Sequence, residues 1–171
     1  MKNIRRDVPE NPKVNLILSQ FNIVESDLIK ILVLHAEDKK LSFWLLALLS
    51  YLTAKPSDNL LESDKDKLNS ALYEYKKSFM KNEGITYLIL HISDYVKTPA
   101  DKRQKAHIQM MEFVVILLKN LLQFRTSAVG SDELHSHFLV AMLKEDMIGP
   151  LFFLIQMEKG ELLSRIEIPL L

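Results

Sequence analysis

The sequence predicts an all-α protein, and within that class an armadillo/HEAT-like α-solenoid of stacked helices. Three observations carry this expectation. Only four glycines stand in 171 residues, and Gly84, Gly130, Gly149 and Gly160 all fall between apolar segments, with the prolines at segment edges. So little glycine leaves no material for tight hairpins or phosphate-cradling loops. Apolar positions advance by threes and fours through segment after segment, the spacing of one helical face. Finally, Met111 to Arg125 reads MEFVVILLKNLLQFR and is apolar nearly all the way round, as a helix is when protein covers every side of it.

The elements follow in order. Residues 1–13, polar and holding two prolines, read as a flexible lead. Val14 to Phe21 suits a short helix, and Ser26 or Asp27 can start a second that runs to His35. Asp38 is a good N-cap for a third helix, whose Leu41, Trp44, Leu45, Leu48, Leu49 and Leu52 share a face before Pro56 ends it. Phe43, Leu46 and Tyr51 fill its other sides, so it should be central, with Trp44 in the core. Ser63 followed by Asp66 resembles a capping box. The helix it opens carries the stripe Leu68, Ala71, Leu72, Tyr75 and Phe79, with Lys65, Asn69, Lys76 and Lys77 pointing elsewhere, and should be amphipathic and peripheral.

Asn82 and Gly84 suit a helix end and a restart, after which Ile85, Leu88, Ile89, Ile92, Tyr95 and Val96 repeat the spacing. Thr98-Pro99-Ala100-Asp101 places a hydroxyl at N-cap, proline at N1 and a carboxylate at N3. It should open a helix that reaches Phe124, roughly 38 Å long at 1.5 Å per residue. Ser131 should cap another helix through Met147, broken by Gly149-Pro150, with LFFLIQME forming one more. LLSRIEIPLL looks like a helix begun and not finished, so residues 1–171 read as one helical domain, a fragment of a longer protein. A single irregular helical bundle is the other architecture these patterns allow.

Composition narrows the function. Apolar residues make up 48% and charged residues 26%, too apolar for disorder. The 22 basic and 22 acidic side chains cancel, which argues against a protein that grips nucleic acid over its whole surface and leaves room for a local patch. The absence of cysteine removes disulfides, thiolate metal sites and a thiol nucleophile. The polar start does not read as a secretory signal. The apolar run from Phe113 is cut after six residues by Lys119 and Asn120, far short of the ~20 that cross a bilayer. No membrane role is expected.

No reaction centre emerges either, and the expectation is a protein that is not an enzyme and needs no cofactor, metal or small-molecule substrate. His135 and His137 are two apart, and such residues do not share a helix face. His35, His91 and His107 sit among apolar helical residues and read as core-edge histidines rather than as ligands or bases. The adjacent pairs Glu37-Asp38 and Glu145-Asp146 suit caps or turns. Asn120, with Lys119 beside it, either braces a neighbouring loop's backbone or lines a groove and holds a partner's extended backbone. Lys97, Lys102, Arg103 and Lys105 form the best basic cluster. They read either as a DNA contact, sequence-blind and salt-dependent, or as a solvated first turn.

Four stretches, in order, resemble the N-terminal region of the Timeless family of replication-fork proteins. IRRDVPENPKVNLILSQFNIVESDLIKIL looks like the family's arginine-rich opening and its "xSDLxPIL" helix, with Lys30 where proline is common. LLALLSYLTAKP is similar to the "LLxxLTxP" helix end. LYEYKKSFMKNEGITYLILHISDYV resembles the "LQxYKxAFxxxxxxxxLxxHLxD" helix pair. HIQMMEFVVILLKNLLQF resembles "LxxxLxLxRNLLxIP", with Lys119-Asn120 at the basic-Asn pair and Phe124-Arg125-Thr126 replacing Ile-Pro-Asp.

The resemblance implies a nuclear scaffold that partners a Tipin-like protein and replisome components, supports fork stability and checkpoint signalling, and works through protein–protein contacts. A generic armadillo-type peptide-binding adaptor unrelated to replication is the alternative.

Overall fold

The computed structural model describes residues 12–125 and 130–157, and among them every regular element is helical. α1 spans Lys13–Ser19; a π-helical turn, Val24–Leu28, then runs directly into α2, Ile29–Leu34. α3 is Lys39–Leu52, α4 Glu62–Lys81, α5 Gly84–Lys97, α6 Lys105–Gln123, α7 Ser131–Lys144 and α8 Ile148–Met157. Most of the expected lead, residues 1–11, lies outside the described residues, as does LLSRIEIPLL; Lys13 is already helical.

The core is one continuous apolar cluster reaching from Val24 to Leu154, and α6 runs through it. α6 packs along α3 on one side and α5 on another. Met110, Met111, Val114, Leu117, Leu118 and Leu121 are buried, and from His107 to Leu122 only Gln109 is exposed. The expected covering of the Met111–Arg125 segment therefore holds as far as Leu122, while Gln123 and Arg125 are exposed. α5 also packs against α4 and α8, while α4 lies against α1, α7 and the π-turn.

Helix starts and stops have identifiable causes. Asp38 caps α3 as its sequence suggests: its Oδ1 accepts from the backbone N–H of Lys40 at 3.1 Å and Leu41 at 3.0 Å. Helix α4 starts without the expected capping box, at Glu62, with Leu61 at the N-cap and no side chain closing it. Gly84 serves close packing rather than a turn. A Cβ there would stand 2.5 Å from Phe79 Cδ1, so only glycine lets α5 begin against the end of α4, and the left-handed residue is its neighbour Glu83, at φ 58°.

The long helix expected from Thr98 is divided. Thr98 Oγ1 donates to the Asp94 carbonyl at 2.7 Å and so closes α5 instead of opening α6. A single 3-10 turn, Ala100–Lys102, follows, and Arg103 and Gln104 are extended before α6 starts at Lys105. Gly130, at φ 86°, is the N-cap of α7 in place of Ser131. Helix α7 ends at Lys144 in a Schellman motif: the Met147 N–H reaches the Met142 carbonyl at 3.0 Å, the Asp146 N–H reaches the Leu143 carbonyl at 3.1 Å, and Asp146 takes φ 55°. Gly149-Pro150 falls inside the first turn of α8, where proline's missing N–H has no helical partner to lose.

Three burial assignments are corrected by packing. Trp44 is 41% exposed, because the buried arc of α3 runs through Ser42, Leu45, Leu46, Leu49 and Leu52 and leaves position 44 on its shoulder. Lys76, expected to face away, is 1% exposed, because α7 covers a second side of α4. His35 is likewise exposed at the end of α2 rather than at the core's edge.

Leu118 is 3% exposed. Its burial contributes ~1.5–3 kcal/mol, and a carboxylate there adds an unpaired buried charge. Against a total stability of ~5–15 kcal/mol, Leu118→Asp is expected to abolish cooperative thermal unfolding followed by circular dichroism. A melting curve unchanged from wild type would contradict this packing.

Candidate functional site

Polar side chains inside an all-helical core mark the places where helices are joined, and Asn120 is one. Its Nδ2 donates to the Ser50 carbonyl at 2.9 Å and to Thr53 Oγ1 at 3.2 Å, and Thr53 Oγ1 donates in turn to the Leu49 carbonyl at 2.8 Å. Ser50 lies in the last turn of α3, where carbonyls run out of helical N–H groups; the Leu49 carbonyl meets the Thr53 N–H at 3.0 Å, and the Ser50 carbonyl does not gain one. Asn120 thus supplies from α6 a donor that α3's own end lacks. Removing it would leave a buried carbonyl short of its partner, at ~1–3 kcal/mol. Both hydrogens of the amide point into the fold, which favours the bracing role over a groove-lining one. Lys119 is half-buried beside it.

A second polar join was not foreseen. Lys76 Nζ reaches the Phe124 carbonyl at 3.3 Å and His135 Nδ1 at 2.9 Å, and sits 5.0 Å from the Phe138 ring centre. Arg125 Nη2 approaches His135 Nε2 at 3.2 Å. A guanidinium only donates, so Nε2 must accept, Nδ1 carries the ring proton, and that proton needs a lone pair on Lys76. The chain Arg125–His135–Lys76 is fully satisfied only with a neutral amine. Burial, with Arg125's charge adding to it, holds Lys76 down at about 8. The His135 imidazole is also lowered, by burial first and then by Lys76 and Arg125. His135 is buried while His137, two residues on, is exposed.

The third polar locus is a cavity of about 520 Å³ at the α5–α6 junction, where Lys39, Lys97 and Lys102 meet from three separate elements. His91, His107 and Asp94 complete its polar wall, and Tyr95, Pro99, Met110 and Met111 supply apolar surface. Arg103 fastens the junction: its guanidinium lies 4.4 Å from the Tyr95 ring centre and its Nε donates to the Thr98 carbonyl at 3.0 Å. His91 is 8% exposed and packs edge-on to Tyr87 at 4.4 Å. Burial, then the charge of Lys39, holds it down at about 4 against the opposing pull of Asp94.

Of the basic cluster seen in the sequence, the structure brings Lys97 and Lys102 to this cavity. It uses Arg103 as a strut, and it leaves Lys105 exposed at the start of α6, not among the lining residues. Sequence reasoning missed Lys39, which stands far from the cluster in the chain and carries no local signal. Of the carboxylate pairs, Asp38 is the α3 cap and Glu145 accepts from Thr86 Oγ1 at 3.0 Å. Among the described residues no group of three metal-ligating side chains is assembled, and no helix is long and apolar enough to cross a membrane.

The architecture and its polar joins define an all-α protein whose interior polar groups tie helix to helix. The family model of the Timeless protein matches residues 1–171, the whole chain. The chain belongs to the Timeless family, and that membership gives it a role related to replication-fork protection. No curated protein and no solved structure matches it.

The Lys76 join has a pH signature. The folded chain releases this proton near 8 and the unfolded chain holds it to about 10.5. The unfolded state therefore binds more protons between those values, and stability rises with pH across that window. Tyr75, held up at about 12 by burial, acts in the opposite direction only above its ordinary range near 10. Urea unfolding between pH 8 and 10 should show stability climbing in wild type, with that climb lost in Lys76→Met. Parallel pH profiles for the two proteins would refute a buried, proton-shedding lysine.

Proposed function

We propose that this chain is a non-enzymatic scaffold of a nuclear fork protection complex, an armadillo-like helical stack that holds a Tipin-like partner and replisome components and supports checkpoint signalling. The match of the Timeless family model to residues 1–171 carries this reading.

The structure supplies physical support of a general kind. A core rod sheathed by α3 and α5 and braced through Asn120 gives a stiff frame, suited to presenting surfaces rather than to closing over a substrate. Leu143 of α7 and Ile148, Phe152, Phe153 and Ile155 of α8 are each exposed, apolar surface of the kind that protein contacts cover. Neutral overall charge fits protein partners better than a whole-surface grip on nucleic acid.

Affinity purification of the tagged protein from replicating cells tests the reading. A Tipin-like protein and replisome subunits should be recovered together in stoichiometric amounts. Recovery of cytoplasmic motor or receptor tails in their place would favour a general peptide adaptor and overturn the replication role.

A further inference from the structure

The α5–α6 cavity is built unlike an ordinary solvated face. Lys39, at the first position of α3, Lys97, at the last of α5, and Lys102, in the 3-10 turn, converge on one concavity from separate elements. None of the three has an ion-pair partner among the described residues. One carboxylate, Asp94, faces them, which leaves the cavity two positive charges in excess. Converging like charges repel, and an anion relieves that repulsion.

A second, independent feature points the same way. His91 is buried to more than nine-tenths, lines this cavity, and has no hydrogen-bond partner for its ring nitrogens among the described residues. A ring nitrogen on a cavity wall can exchange a hydrogen bond with a ligand oxygen or hydroxyl. The Thr98 hydroxyl, by contrast, is committed to the Asp94 carbonyl.

We propose that this cavity receives a phosphate monoester, presented by a phosphorylated serine or threonine side chain of a protein partner. A phosphoserine or phosphothreonine carries about −1.5 to −2 at neutral pH, which matches the excess charge, and lysines bind phosphate as point charges without needing a planar fork. The shape selects among phosphates. Duplex DNA presents one singly charged diester per ~1.7 Å of its axis, along a convex rail that calls for a row of cations. Here the cations surround a pocket whose Tyr95, Pro99, Met110 and Met111 give apolar surface for the carbon stem and the neighbouring residue of a peptide. This inference rests on the cavity alone and holds or fails whichever partners the scaffold binds.

Blocked phosphoserine, blocked serine and a short DNA duplex, each titrated against protein with isotope-labelled histidines, separate the possibilities by NMR. Phosphoserine should shift the ring signals of His91 and His107 saturably, and blocked serine should not. Lys97→Gln and Lys102→Gln replace exposed side chains, so the fold should persist while each weakens binding by up to about fivefold, the upper end for one exposed charge contact. No saturable shift, or shifts unaltered in both variants, would overturn the proposal. So would shifts produced by the duplex and weakened by salt while phosphoserine produces none, which would make the cavity part of a nucleic-acid surface.

Discussion

The exclusion of water from α6 is the constraint on which the other elements depend. A helix apolar over most of its circumference has no stable position at a surface, because no single packed face removes enough of its area from solvent. Here α3 and α5 flank it, and the wider apolar cluster extends to α2, α4, α7 and α8. The connections are accordingly tight: α5 begins against Phe79 at a residue where only glycine fits, and α7 turns into α8 through a Schellman motif.

Coverage of that kind leaves polar atoms stranded, and the fold meets each in its own way. The last turn of α3 has carbonyls with no helical partners, and Asn120 reaches across from the covered rod to supply the donor. Phe124, just beyond α6, has a carbonyl that Lys76 meets from α4, with His135 of α7 joined to the same nitrogen. Both joins lie near the C-terminal half of α6, so its packing register is fixed by hydrogen bonds as well as by shape. The N-terminal half is different. There the side chains open onto the basic cavity, where Met110 and Met111 are shared between core and pocket wall.

The legible parts of this structure were local. Asp38 as a cap, the apolar spacing of α3 to α6, and the need to cover α6 all follow from residues close in sequence. What escaped was decided by distant elements. Lys76 follows Tyr75 by one residue and so leaves the apolar stripe of an isolated α4; only α7, laid over that flank, buries it. Thr98-Pro99 has every mark of a helix start, yet the Thr98 side chain turns back to close α5, and Arg103 is drawn onto Tyr95 instead of continuing a helix. Lys97 and Lys102 could be seen as basic residues, but their convergence with Lys39 exists only once α3 is folded beside α5 and α6. Asn120 announced a hydrogen-bond requirement without naming the donor's target.

Native-state hydrogen exchange measures the central claim directly. If α6 is sheathed as described, the amides from Met110 to Leu122 open only with the whole domain. They should then be among the slowest in the chain, with opening free energies equal to the global unfolding value. Exchange of those amides through local opening, at rates like those of the more exposed helix α8, would show the rod to be uncovered in solution and contradict the account.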